Sequence, residues 1–240
     1  NYTIAKLILD PGFIQPNTFI LMRVGAGLLL FVLFFGSFSR IERSDWPGLI
    51  QLSVTGVLVN QLLFFNGLQR TSPVHAALIM VGTPILVLML RWLKQERKIT
   101  KRNWIGCLLG FGGTALLILQ SSSKHVVTHS SLEGDLMVFV NACSYAIYLN
   151  KAPDLIKKYK AMEIMKWIFA IGFVGCLPFG VSGLTEIPWS SMDYSHWLSL
   201  IFVLVATTFL AYLLNAKALQ ISTPALVSSY IYLQPVIALG

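Results

Sequence analysis

The stretch LQRTSPVHAALIMVGTPILVLMLRWL, residues 68–93, decides the fold of this chain. Thr71 and Ser72 suit the N-cap of a helix, and Pro73 suits its first position because no helical hydrogen bond is lost there. About twenty nearly uncharged residues follow, enough at about 1.5 Å per residue to cross a hydrocarbon core about 30 Å thick. The stretch therefore predicts a transmembrane helix, which Arg91 closes.

Pro84 lies halfway along this predicted helix and has no N–H to donate to the carbonyl of Met80. It predicts a helix break that leaves this carbonyl free in the middle of the membrane. Thr83, beside the break, is a candidate substrate contact.

The same pattern returns in ALQISTPALVSSYIYLQPVIALG, residues 218–240. The residues that recur 151 positions later are Leu68, Gln69, Pro73, Pro84 and Leu88, which become Leu219, Gln220, Pro224, Pro235 and Leu239. Two prolines at one spacing, each pair preceded by Ser and Thr, indicate an internal duplication. Pro235 is thus a second predicted helix break.

The composition is that of a polytopic membrane protein, with 55% hydrophobic residues, 12% charged residues and a mean hydropathy of +0.70. The net charge of +8 comes without a basic helix or an RNA-type aromatic motif, so nucleic acid is not expected as a partner. The three cysteines are scattered singly, and His125 and His129 have no third ligand nearby, so neither a metal nor a cofactor is expected.

Apolar runs predict eight membrane spans, and a polar stretch at 120–135 divides them into two halves. The runs are 19–38, 48–68, 74–93, 104–119, 136–149, 164–181, 197–214 and 225–240.

Lys and Arg residues accumulate in alternate loops, which should face the cytoplasm. These loops are 39–47, 94–103, 150–163 and 215–223. The corner at 68–73 is then external and its repeat partner at 219–224 internal, so the two copies are inverted.

Inversion requires an odd number of spans in each unit. The first six residues align with residues 144–149 at an offset of 143, which also pairs Arg23 with Lys166. We therefore expect the chain to lack its first and tenth spans. The predicted units are residues 1–125 and 132–240, each derived from five spans.

Three features resemble the EamA-type members of the drug/metabolite transporter superfamily. They are the proline-rich fourth span of each unit (72–90 and 223–239), an Arg early in the second span (FILMRVGAGLLL, 19–30) and a Gly-rich fifth span (IGCLLGFGGTALLIL, 105–119). The resemblance implies an all-α fold of two inverted five-helix units around a central cavity. It also implies that the protein is a permease that exports a small metabolite or drug-like molecule across the plasma (inner) membrane by alternating access.

Polar residues inside the spans are the candidate substrate contacts. Asn60 and Gln61 lie mid-span, where an amide facing lipid would lack hydrogen bonds. Asn141, Tyr145 and Tyr148 share one helix face at i, i+4 and i+7. The second unit offers a similar lining, namely Thr207, Thr208, Tyr212, Ser228, Tyr232 and Gln234. The alternative that these side chains only join neighbouring helices stays open.

Two of the three basic residues near span ends, Arg23 and His75, have two interpretations each. Arg23 either binds an anionic substrate at the outer side of the cavity or snorkels to the membrane interface. Lys166, three residues after Glu163, predicts an interface anchor with an ion pair. His75 is a further candidate substrate contact at an external helix start, where it either titrates in a proton-coupled exporter or packs and caps.

Two other classes of protein remain as alternatives. A membrane-embedded enzyme would need paired catalytic groups at depth, which the nearly carboxylate-free spans do not offer. A scaffold or sensor would not require duplicated mid-helix prolines with polar walls.

Gly106, Gly110 and Gly113 predict a small-residue stripe for close helix contact. Substrate identity, coupling ion, direction of flux and oligomeric state are not indicated.

Overall fold

The computed structural model describes residues 14–94, 100–122 and 131–233, and within these ranges the regular structure is entirely helical. The α-helices are α1 Pro16–Phe35, α2 Trp46–Ser53, α3 Val59–Arg70, α4 Pro73–Val81, α5 Thr83–Leu93, α6 Lys101–Ser122, α7 Leu132–Tyr159, α8 Ala161–Gly180, α9 Tyr194–Leu204, α10 Ala211–Ile221 and α11 Pro224–Ser229. Some predictions concern residues outside these ranges, namely the alignment of residues 1–6, the His125/His129 pair, Gln234 and Pro235.

Five helical stretches are long and apolar enough to cross a membrane: Pro16–Phe35, Arg43–Arg70, Val74–Leu93, Ala161–Gly180 and Tyr194–Ile221. The predicted spans at 104–119 and 136–149 lie within α6 and α7, and the run at 225–240 begins in α11. Large apolar side chains point outward, with Leu33 and Leu109 exposed by 72% and 71%. An outer surface of this kind suits lipid, and the predicted all-α polytopic membrane fold is confirmed.

Both proline-led helices begin where the sequence predicts. The Ser72 hydroxyl accepts a hydrogen bond from the backbone N–H of His75 at 3.2 Å, and Pro73 is the first residue of α4. Thr223 does the same for the N–H of Leu226 at 3.4 Å, ahead of Pro224 in α11. These side chains satisfy amides that have no partner within the helix.

The helix at 73–93 is interrupted at Gly82, between α4 and α5. Pro84 is the second residue of α5, and the Gly82 N–H donates back to the carbonyl of Ile79 at 3.0 Å. The expectation of a free Met80 carbonyl is wrong, because the hydroxyl of Thr83 donates to it at 2.6 Å. The break is therefore satisfied locally.

Two further irregularities have no signal in the sequence. π-Helical turns at Val54–Leu58 and Val205–Leu210 join α2 to α3 and α9 to α10. They begin 151 positions apart, the same offset as the sequence repeat. This adds a structural correspondence between the halves, while their inverted orientation and the number of spans in each unit stay predictions.

The halves of the chain interlock, because helices of one pack mainly on helices of the other. α1 lies along α8, while α3 and α5 both lie along α7. Phe31 of α1 packs on both α8 and the second π-helical turn. Its ring centroid lies 5.2 Å from that of Phe169 and 4.9 Å from that of Phe209. A side chain at Gly27 would clash with the Phe169 ring, so this glycine lets α1 and α8 approach closely.

The predicted loop at 150–163 is mostly helix. α7 continues through Pro153 to Tyr159, and the chain turns at Lys160, whose φ is +70°. The extra turns carry Lys158, whose ammonium lies 2.8 Å from Glu42 and 2.7 Å from Asp45. Lysine-rich sequence at a span end thus extends the helix here instead of ending it.

The side chain of Lys166 is fully buried within the protein instead of extending into the surroundings as an interface anchor would. Its predicted ion pair with Glu163 is present at 3.0 Å. The ammonium group also donates to the carbonyls of Phe35, Gly36 and Ser37, at the end of α1.

The glycine stripe of α6 is used at one position among the described residues. A Cβ on Gly110 would lie 2.6 Å from the Tyr232 ring, whereas one on Gly106 or Gly113 would meet nothing within 4 Å. Within the described residues the predicted close helix contact is therefore present at Gly110 and is not seen at the other two glycines.

Candidate functional site

A set of polar side chains near the middle of the helices links the two halves, and we call it the polar belt. Its members are Arg23, Gln61, Asn141, Tyr145, Thr208, Tyr212 and Asn215. They come from α1, α3, α7, the second π-helical turn and α10.

The link between the halves is a hydrogen bond from Gln61 Nε2 to the Tyr212 hydroxyl at 2.6 Å. That hydroxyl in turn donates to the carbonyl of Gly56, in the first π-helical turn, at 3.1 Å. Gln61 and Tyr212 are 151 positions apart, so the two residues that correspond in the sequence repeat contact each other. Both are predicted substrate contacts, and the structure brings them together.

The belt continues along α10 to α7. Asn215, three residues after Tyr212, donates through Nδ2 to the Tyr145 hydroxyl at 3.0 Å. Asn141, one turn before Tyr145, donates through Nδ2 to the Met80 sulfur at 3.3 Å, beside the break between α4 and α5. The predicted helix face therefore turns inward.

Tyr148 shares that face but is 1% exposed. Its ring lies 5.9 Å from the Tyr145 ring and packs so closely on Gly56 that any side chain there would clash. In this conformation Tyr148 packs in the core behind the belt, and its contact with a substrate stays a prediction.

Arg23 does not snorkel to the membrane interface. It is 3% exposed, its Nε donates to Thr208 Oγ1 at 2.9 Å and its Nη2 to the Thr207 carbonyl at 3.3 Å. The guanidinium lies 4.9 Å from the centroid of the Phe65 ring, a cation–π distance. Arg23 thus secures the second π-helical turn, and its contact with an anionic substrate stays a prediction.

Three other predicted contacts lie apart from the belt's hydrogen bonds. Asn60 is half-buried and makes no side-chain hydrogen bond within the described part of the chain. Thr83 is fully buried with its hydroxyl occupied by Met80. Tyr232 donates to the Cys107 carbonyl at 3.0 Å and joins α6 to the end of α11.

His75 lies at one end of the molecule, exposed to solvent. Its Nδ1 is 3.0 Å from Asp135 of α7, which also accepts from the Thr71 hydroxyl. Arg70 reaches Glu133 at 3.5 Å at the same end. His75 thus lies apart from the belt, in contact with Asp135, and its part in substrate binding stays a prediction.

Asn215 and Asp135 are the residues that sequence reasoning missed. The spacing of Asn215 from Tyr212 places both on one face of α10, and that signal was available. Asp135 had no such signal, because the Thr71 and His75 side chains that it meets are 64 and 60 positions away. No group of three or more His, Cys, Asp or Glu residues within the described ranges suits a metal ion.

The family of the chain follows from its similarity to known sequences. The profile of the EamA-like transporter family matches residues 1–119 and again residues 132–240. The chain belongs to this family and is a multi-pass membrane protein with the fold of a transporter.

Relatives bear similar names. The chain is 26% identical over 232 residues to the uncharacterized transporter YyaM of Bacillus subtilis, covering 95% of this chain and 76% of that protein. It is 24% identical over 214 residues to the uncharacterized transporter YetK of the same organism, covering 88% and 64%. An uncharacterized transporter of Archaeoglobus fulgidus is 22% identical over 208 residues, with 87% and 71% covered.

The fold also matches an experimental one. A protein of known crystal structure superposes on 99% of this chain and 81% of its own, with a TM-score of 0.75 and 16% identity. At this identity the match concerns the fold alone.

Proposed function

We propose that this protein is a secondary transporter that exports a small molecule by alternating access, with the polar belt as its substrate site. The observation that carries the proposal is the 2.6 Å hydrogen bond between Gln61 and Tyr212. It joins the two halves of the chain within their predicted spans, and inverted-repeat transporters bind substrate between their halves near the bilayer midplane.

The irregular helices around the belt support movement at this level. At each π-helical turn, side chains from other helices bond to backbone carbonyls: Ser144 Oγ to Thr55 at 2.9 Å, Tyr212 to Gly56 and Arg23 to Thr207. Such turns, and the break at Gly82, are frequent at functional sites and let helix segments rotate about them. The belt and the points of bending therefore coincide.

Proton coupling rests on a different part of the molecule. Within the described residues the carboxylates lie near helix ends or in loops, and His75 with Asp135 forms the imidazole–carboxylate pair nearest to the break in the α4–α5 helix. Coupling through this pair, at the end opposite to the lysine-rich loops, is part of the proposal.

The test is flux of a panel of labelled metabolites from proteoliposomes that contain the full-length protein. Gln61→Leu fills similar space without hydrogen bonding, and we expect it to reduce flux at least about tenfold, the equivalent of one hydrogen bond of about 1.4 kcal/mol. Tyr212→Phe should have a similar effect, and the double variant should be little worse than either single one, because both remove the same bond.

Tyr159→Phe is the matched control. Its hydroxyl bonds to Asp45 at the end of the molecule, far from the belt, so flux should be unchanged. Flux no faster than from empty liposomes for every compound would contradict the proposed function. Equal flux from the Gln61 and Tyr159 variants would contradict the assignment of the site.

A further inference from the structure

Several buried amide oxygens in the described part of the chain have no hydrogen-bond partner. They are Oε1 of Gln61 and Oδ1 of Asn141, Asn150 and Asn215. Three of these four residues are members of the polar belt. A buried acceptor without a donor costs about 1–3 kcal/mol, so native proteins rarely keep one without a ligand or water to occupy it.

For Gln61 and Asn141, the surrounding hydrogen bonds determine which side-chain atom is the oxygen and which is the nitrogen. The Tyr212 hydroxyl gives its proton to the Gly56 carbonyl, so it must accept from the nitrogen of Gln61. The side-chain nitrogen of Asn141 faces the Met80 sulfur, which can only accept. Both oxygens are therefore left with free lone pairs. The belt thus presents hydrogen-bond acceptors to which no donor of the described residues is bonded.

The positive charge of Arg23 disfavours a cationic donor as the ligand of the belt. Arg23 is a charged member of the belt, and the carboxylates of the described residues lie near helix ends or in loops. A cationic ligand would meet the field of Arg23 with no counter-charge at this depth, where charge interactions are poorly screened. An uncharged N–H donor avoids this repulsion.

We propose that the polar belt binds an uncharged ligand through N–H donors, as in a primary carboxamide, with the side-chain oxygens of Gln61 and Asn141 as acceptors. Tyr212, bonded to Gln61, and Tyr145, one turn from Asn141, would supply aromatic contacts beside them. The inference rests on the proposed function for its site and adds the chemical class of the substrate.

Four probes with the same phenyl body separate the contributions. Benzamide donates N–H bonds and is neutral, N,N-dimethylbenzamide is neutral without donors, benzamidinium donates but is cationic, and benzoate is an anion. Binding to the purified full chain in detergent is measured by saturation-transfer NMR titration. We expect benzamide to bind at least about tenfold tighter than each of the other three.

Two variants and a control assign this preference to the belt. Gln61→Leu and Asn141→Leu should each reduce the ratio of benzamide to N,N-dimethylbenzamide affinity severalfold. Asn150→Leu removes a fourth buried amide of the same kind, one that donates to the Val87 and Ala146 carbonyls and lies on the opposite face of α7 from Asn141. It should leave the ratio unchanged.

Equal binding of N,N-dimethylbenzamide and benzamide overturns the inference, and so does the absence of binding by any probe up to its solubility limit. Tighter binding of benzamidinium or benzoate assigns the belt to charged ligands and also overturns it. If no compound shows flux but benzamide still binds more tightly than N,N-dimethylbenzamide, the proposed function is contradicted and the ligand class is not. Flux of substrates that lack N–H groups at the same rate contradicts the ligand class alone.

Discussion

At the scale of single residues, the ammonium group of Lys166 caps a helix to which it does not belong. It donates to the Phe35 carbonyl at 3.2 Å, to the Gly36 carbonyl at 3.3 Å and to Ser37, and it pairs with Glu163 at 3.0 Å. The last carbonyls of a helix have no partner within it and carry partial negative charge. Lys166 satisfies both needs for α1.

Lys166→Met should reduce the free energy of unfolding by about 3 kcal/mol, because it keeps the aliphatic stem but removes one partner of a buried ion pair. The measurement is the unfolding midpoint of purified protein in a denaturant titration. Lys158→Met is the control, since its ion pairs are exposed to solvent and its loss should change the unfolding midpoint much less. Equal losses from both variants would show that burial of Lys166 has no energetic role.

The sequence foretold only part of this arrangement. The pairing of Lys166 with Glu163 follows from their spacing of three positions on one helix. The carbonyl partners are 129–131 positions away and Thr208, the partner of Arg23, is 185 away. Long basic side chains reach whatever partners the fold places near them, so the burial of both side chains against distant segments was not readable from the sequence.

At the scale of helices, the break at Gly82 is stabilised by one hydroxyl group. Pro84 cannot donate to the Met80 carbonyl, and Thr83 does so in its place at 2.6 Å. The side chain thus compensates for the missing amide of its neighbour.

Thr83→Val is nearly isosteric and should cost about 1–3 kcal/mol in free energy of unfolding, because the Met80 carbonyl loses its donor. In a Pro84→Ala background the cost should fall below about 1 kcal/mol, since alanine at that position restores a backbone N–H. A double-mutant cycle on denaturant midpoints measures the difference. Independent costs in the two backgrounds would mean that the hydroxyl does not replace the amide.

Helix breaks at prolines are readable from sequence, because the chemistry is local to the residue. The π-helical turns at Val54–Leu58 and Val205–Leu210 are not, since ordinary helix-compatible residues fill them. Their carbonyls are satisfied by Ser144, Tyr212 and Arg23 from distant helices. Tertiary contacts therefore supply what local sequence does not show.

At the scale of the whole molecule, its two ends differ in charge. One end joins the 39–45 segment to α7 and α8 through contacts of Ser39, Glu42 and Asp45 with Tyr159, Lys158 and Glu163. The other joins the start of α7 to the 70–75 corner and Gln15 to Glu186. Loops rich in Lys and Arg gather at the first end, which the positive-inside rule places in the cytoplasm.

Cysteine labelling tests this orientation. In a background without the native cysteines, an impermeant maleimide added outside intact cells should modify Glu186→Cys and leave Lys157→Cys unmodified. Both side chains are exposed at opposite ends of the molecule, so accessibility within the protein is matched. Labelling of the lysine position alone would reverse the topology.

The contact between Gln61 and Tyr212 has a consequence for the history of the chain. In a pair of identical subunits related by a twofold axis, a residue on the axis faces its own copy, so such a site admits only a self-match of Gln with Gln or Tyr with Tyr. If the halves descend from one ancestral unit, fusion released this position from that symmetry. An amide could then face a phenol, and the two sides of the central contact became free to evolve apart.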